Sequence, residues 1–271
     1  MLARLVRVIA LGSLLFALAT PSAAMVDPLQ PGKPWVIDYA EAQCVASRQY
    51  GSGGNLWVLA IRPAPNGETY ELLLGRNRSG PEFAEEAKGS VDFGNGPIRA
   101  WLLHYGGERK SDVYQFRISA ADMSQGRAAK TVRLRAASGP DVTLTLSLMS
   151  DLLDGLDKCT VDLKHYWNME SPDDAKIATK SKGSLVGVFS DRDYPSEALQ
   201  RGQQGASQFL LLIDEKGSVA GCHVLKASGV PALDGMGCVV IKKRMKLSPA
   251  LDAQGHPIRS TVVTPPIKWV M

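Results

Sequence analysis

Tyr194-Pro195-Ser196-Glu197-Ala198, then Gly205, Phe209-Leu210-Leu211-Leu212-Ile213, Asp214-Glu215-Lys216-Gly217 and Pro231-Ala232-Leu233-Asp234 follow one another in the last third of this 271-residue chain. Pro195 suits the first position of a helix, where its missing N–H costs nothing, and Gly202 or Gly205 can end that helix in a left-handed conformation. Phe209 to Ile213 is a short apolar strand, Asp214 to Gly217 a hairpin turn, and Ser218 to Leu225 the return strand. Ser228-Gly229 breaks the chain before Pro231 opens a second helix. Leu233, Met236, Gly237, Val240 and Ile241 fall on one face of it and are assigned to the core. Lys242, Lys243, Arg244 and Lys246 cluster at its end, where cations favour the negative pole of the helix dipole and face solvent. Beyond Pro249-Ala250 and a loop around Gly255, the β-branched run Ile258 to Val263 predicts a strand, and Leu185 to Phe189 predicts a leading one. The result is an α+β unit, βαββαβ in order, with one small antiparallel sheet against two helices.

The ordered set Tyr194 to Ala198, Gly205, Asp214 to Gly217, Cys222, Ser228-Gly229, Leu233-Asp234, Pro249-Ala250, Gly255 and Pro266-Ile267-Lys268-Trp269 resembles the periplasmic C-terminal domain of TonB-like proteins, over about residues 185–271. The resemblance implies a binding domain and not an enzyme, one that accepts peptide segments at a sheet edge near its C-terminus. Here that edge maps to Arg259, Ser260, Thr261, Val262 and Val263, with a protein of the cell envelope, such as an outer-membrane receptor, as the implied partner. Thr261, Val262 and Val263 have high β-propensity, and Pro265-Pro266 removes two donors just beyond them. TonB proteins that span the periplasm resemble one another in a long Pro-rich stalk after a histidine-bearing membrane helix. This chain has neither, a departure that bears on energy transduction and leaves the peptide-binding fold untouched.

Arg4 and Arg7 precede an apolar run from Val8 to Ala19, and Ser22-Ala23-Ala24 supplies small residues for cleavage. Residues 1–24 therefore have the layout of a secretory signal peptide, and the run is shorter than the roughly 20 residues of a spanning helix. A cleaved leader predicts a periplasmic protein with no membrane span in the mature chain; an uncleaved anchor is the competing reading. Loss of Arg4 and Arg7 lowers the formal charge from +4 to +2. No basic stripe with interleaved aromatics points to nucleic acid.

Four cysteines in an exported chain read as two disulfides, for which sequence alone allows about three pairings. Cys222 and Cys238 both fall in the C-terminal unit, and Cys44 and Cys159 bracket the preceding one, so pairing within units is the expectation. A metal site is the rival. No pair has C-x-x-C spacing, and His223 would point to the opposite sheet face from Cys222.

Residues 35–167 predict a second, β-rich domain of no assignable family. Trp57 to Ile61 and Thr69 to Leu74 flank Pro65-Asn66-Gly67, a hairpin signal, and Ile98 to His104 is a further strand. Tyr114, Phe116 and Ile118 alternate with polar residues, as do Val142, Leu144, Leu146 and Leu148. Ser150 can cap a helix carrying Leu152, Leu153, Leu156 and Cys159. Residues 168–184 turn polar without periodicity and read as a linker.

No motif for nucleophilic, metallopeptidase, nucleotide-binding or dinucleotide-binding chemistry is present. His104, His165, His223 and His256 are scattered, and the adjacent carboxylates Glu85-Glu86 and Asp173-Asp174 do not face one another. No catalytic residue, cofactor or metal is expected. Three roles fit: a periplasmic module binding an envelope partner by strand addition, an inner-membrane-anchored TonB-type transducer for outer-membrane transport, and an exported structural or inhibitory protein.

Overall fold

In the computed structural model, which describes residues 27–81, 84–107, 110–169 and 176–271, the leading unit is built from alternating strands. The expected signal peptide lies outside the described residues. The strands are β1 (Val36–Ala40), β2 (Gln43–Tyr50), β3 (Trp57–Pro63), β4 (Thr69–Asn77), β5 (Glu85–Asp92), β6 (Ile98–Gly107) and β7 (Ser111–Ser119). A short helix α1 (Ala120–Ser124), β8 (Thr131–Ala136), β9 (Asp141–Thr145) and the helix α2 (Met149–Tyr166) complete it. Trp57, Leu59 and Ile61, then Tyr70, Leu72 and Leu74, then Tyr114, Phe116 and Ile118 are buried at every second position, as a half-buried sheet requires.

The sheet runs β1-β2-β3-β4-β7-β6-β5-β8-β9. Its two end regions are joined by one segment. Leu29 donates its N–H to the Thr143 carbonyl at 2.8 Å, and Gly32 donates to the Gln49 carbonyl at 2.9 Å. The sheet therefore curls into a barrel, which protects edges that would otherwise invite aggregation. Leu152, Leu153 and Leu156 of α2 pack into the same interior cluster as Leu59, Phe116 and Leu134. A disulfide, Cys44–Cys159, ties β2 to α2 across 115 residues. Leu148 departs from the expected alternation. Leu146 gives its N–H to Lys130 and the strand stops, while Leu148 turns to φ 57, 71 % exposed, and its carbonyl takes the first helical bond from Leu152. Ser150 thus lies inside the helix and does not cap it.

The C-terminal unit contains α3 (Ser196–Gln200), β10 (Gly205–Ile213), β11 (Val219–Lys226), α4 (Pro231–Arg244), β12 (Ala250–Leu251), β13 (Pro257–Ile258), β14 (Ser260–Val263) and β15 (Ile267–Trp269). β10 is central, with β11 on one side and β14, continued in line by β15, on the other. α4 covers one face, packing Val240 and Ile241 in one cluster with Phe209, Leu211 and Ile213. A Cβ on Gly237 would meet the Phe209 ring at 2.5 Å, so only glycine permits this approach. The Cys222–Cys238 disulfide joins β11 to α4.

The order is not βαββαβ, because the expected leading strand is missing. Leu185 to Phe189 turns at Gly187, φ 75, with Val188 donating to the Leu185 carbonyl. Leu185, Val188 and Phe189 still pack on the C-terminal core, while Val186 at the turn is 91 % exposed; burial of three side chains, not pairing, is what the segment delivers. Pro195 is the N-cap residue rather than the first helical one. Ile258 to Val263 divides at Arg259, the first part pairing with β12 and the second with β10. Of the expected linker, residues 176–184 include a paired stretch: Thr179 exchanges hydrogen bonds with Leu251, and Lys182 with Ser248.

The two units meet. Leu210 and Leu212, on the face of β10 away from α4, are buried. Leu212 packs against Leu163 and Trp167 at the end of α2, and the Trp167 indole donates to the Glu41 carbonyl at 2.7 Å. Among the described residues no helix is long and apolar enough to cross a membrane.

Candidate functional site

The direction of each main-chain group along β10 follows from one bond. Thr264 donates its N–H to the Phe209 carbonyl at 2.9 Å, so Phe209 faces the β14 side. Antiparallel pairs alternate between bonded and non-bonded. With Leu211 opposite Val262 and Ile213 opposite Ser260, Val262 and Ser260 bond inward to β10. Thr261 and Val263, opposite Leu212 and Leu210, therefore direct their N–H and C=O groups outward. No strand lies beyond them among the described residues, and the Val263 side chain is exposed.

Of the five residues expected at this edge, Arg259 plays a different part. Its guanidinium lies 3.8 Å from the Tyr166 ring centre and 3.2 Å from Glu215, and its carbonyl accepts from the Asn168 side chain at 2.6 Å. It joins the barrel to the C-terminal sheet and closes one end of the edge. Ser260 meets Ser181 side chain to side chain at 2.6 Å. The stretch with no strand on its outer side among the described residues is thus Thr261 to Val263, bounded by Asn168 on one side and by Pro265-Pro266 on the other.

A second feature was not foreseen. Between the outer face of the barrel and β11 with α4 lies a cleft of about 700 Å³. On its barrel wall Glu71 is gripped by two guanidiniums, those of Arg62 and Arg117, and accepts from the Gln115 amide at 2.8 Å. Burial alone would raise the Glu71 pKa, but the two arginines hold it below the ordinary carboxylate value. Arg117 also lies over the Trp101 ring at 4.8 Å. Opposite stands His223, whose Nε2 is buried without a hydrogen-bond partner.

Burial, aided by the positive charge of Arg62, pushes the His223 pKa from 6.5 down to about 4. The unfolded chain then takes up this proton first, so the stability that neutral His223 permits is complete above about pH 6.5 and is lost progressively as pH falls towards 4. His223→Gln is expected to remove roughly 2 kcal/mol of the stability lost between about pH 7 and 4.5, read from urea unfolding at both values.

His104, expected to be structural, bonds Asp112 at 2.7 Å and stacks on Tyr114. Arg244, read as part of a solvated helix end, instead grips Asp193 at 2.6 and 2.7 Å and holds the Asp193 pKa at about 2, with help from Ser190. All four cysteines sit in disulfides. Among the described residues no three His, Cys, Asp or Glu side chains gather as a metal-binding set. The cleft residues left one faint trace in the sequence: Arg62, Glu71 and Arg117 each interrupt an apolar strand at a position that faces outward from the barrel.

Residues 190–271 match the family model described as Gram-negative bacterial TonB protein C-terminal. No curated protein and no solved structure matches the chain. The stretch from the Asp193–Arg244 pair to the final strand is thus similar to a TonB C-terminal domain, while the match does not extend to the barrel.

Proposed function

We propose that this chain is a periplasmic binding protein, exported by cleavage after residue 24, that holds an extended segment of an envelope protein along the β14 edge and performs no catalysis. The carrying observation is the outward-facing main chain of Thr261 and Val263, with no strand beyond it among the described residues. Strand addition draws affinity from such groups and selectivity from alternate side chains. The similarity of residues 190–271 to a TonB C-terminal domain supports an envelope role, and two disulfides suit an oxidising compartment. The prolines and the Asn168 contact keep the edge short, which favours a short docking segment over open-ended sheet growth.

Proline at Val262, whose N–H faces β10, would break the sheet itself. Val263→Pro removes only an outward donor. It is expected to leave circular dichroism unchanged and to weaken capture of envelope partners by about tenfold, the effect of one or two main-chain bonds. A folded Val263→Pro protein that captures the same partners with undiminished affinity would exclude this edge.

A further inference from the structure

We infer that the free edge of β11, with the cleft it borders, is a second peptide-binding site, one that takes an extended segment carrying an acidic side chain. Among the described residues β11 ends the sheet on the side opposite β14. By the same alternation Leu210 and Leu212 face β11, so His223 and Gly221 bond inward and Cys222 and Val224 turn their N–H and C=O groups outward. Ala220 to Val224 line the cleft over five residues, a reach of about 17 Å at strand spacing. Regularly spaced donors and acceptors of this kind match a peptide main chain, and the cleft has the volume and domain-interface position of a ligand site.

Charge selects the side chain. Both acids of the cleft are already engaged: Glu71 by Arg62 and Arg117, and Asp234 by the Ser207 hydroxyl at 2.6 Å and the Ser228 N–H at 2.9 Å. Lys242, exposed at the cleft wall, has no acidic partner among the described residues. The positive pole of α4 is already matched by Asp234 in its first turn, which leaves Lys242 as the charge open to a ligand, and a Cβ on Gly235 would meet nothing within 4 Å, so there is room beside the helix. A carboxylate approaching Lys242 finds a cation with no acidic partner among the described residues, while the unpartnered His223 Nε2 offers one more polar contact inside.

The probe is a random peptide library displayed on phage and selected against the full exported chain. Selected peptides are expected to be rich in Asp and Glu. Their affinity should fall about tenfold in Val224→Pro, which removes an outward donor but no ladder bond, and by a similar factor in Lys242→Glu. Val263→Pro should leave it unchanged, so this site and the β14 edge succeed or fail separately. Hydrogen exchange on the unmodified chain should show the Cys222 and Val224 amides newly protected by bound peptide, a readout that stands even where Val224→Pro does not fold. A library that yields no binder, peptides indifferent to Lys242→Glu, peptides lost in Val263→Pro instead, or unprotected Cys222 and Val224 amides would each overturn the inference.

Discussion

Replacing Cys44 and Cys159 together by alanine is expected to lower the unfolding free energy by about 3–5 kcal/mol. The bond closes a loop of 115 residues, so its absence frees a large share of the unfolded chain, more than loss of the 16-residue Cys222–Cys238 loop would. It also holds α2 against β2, where Leu152, Leu153 and Leu156 fill the barrel. Without the tether the helix is held by packing alone. The urea midpoint should fall, and a dye sensitive to exposed apolar surface should bind before the main transition. An unchanged midpoint in the double variant would mean that the cross-link adds nothing to the barrel.

Trp167→Ala should have an effect of similar size, about 3–5 kcal/mol for a buried aromatic, but its signature differs. Trp167 is 2 % exposed, bonds Glu41 within the barrel unit and packs on Leu212 of β10. It is the wedge between the two units. Its removal leaves a cavity at the junction and bares the second face of β10, so calorimetry should resolve two unfolding transitions where the parent shows one. A single transition at the parent's midpoint would mean that docking does not depend on this residue. The Arg259–Tyr166 contact, partly exposed, should matter less.

These two variants probe different ranges of interaction, and the same difference separates what could be read from residues alone. Elements held by local chemistry were legible. Asn66-Gly67 makes its turn with Gly67 at φ 76 and its N–H on the Ala64 carbonyl; Asp214 accepts from Gly217 and, through its side chain, from Lys216 and Ser218. Pro231 starts α4, and alternation marks β3, β4 and β7. Such features depend on residues a few positions apart, whose preferences the chain states directly.

Leu185 to Phe189 shows where that reading ends. Apolarity marked Leu185, Val188 and Phe189 for burial, and a turn that leaves Val186 in solvent meets that demand as well as a strand does. The run Phe209 to Ile213 carried a further hint, since unbroken apolarity is the mark of a strand covered on both faces. It could not say that the second cover is the barrel, because that depends on Trp167 reaching Leu212. Barrel closure through Leu29 and Thr143, and the cleft that sets His223 opposite Glu71, likewise join groups more than a hundred residues apart. Local preference carries no record of such distant encounters. They are settled when two apolar faces find each other in space, and the paired edges and unpaired ones, where partners can bind, are set by that same event.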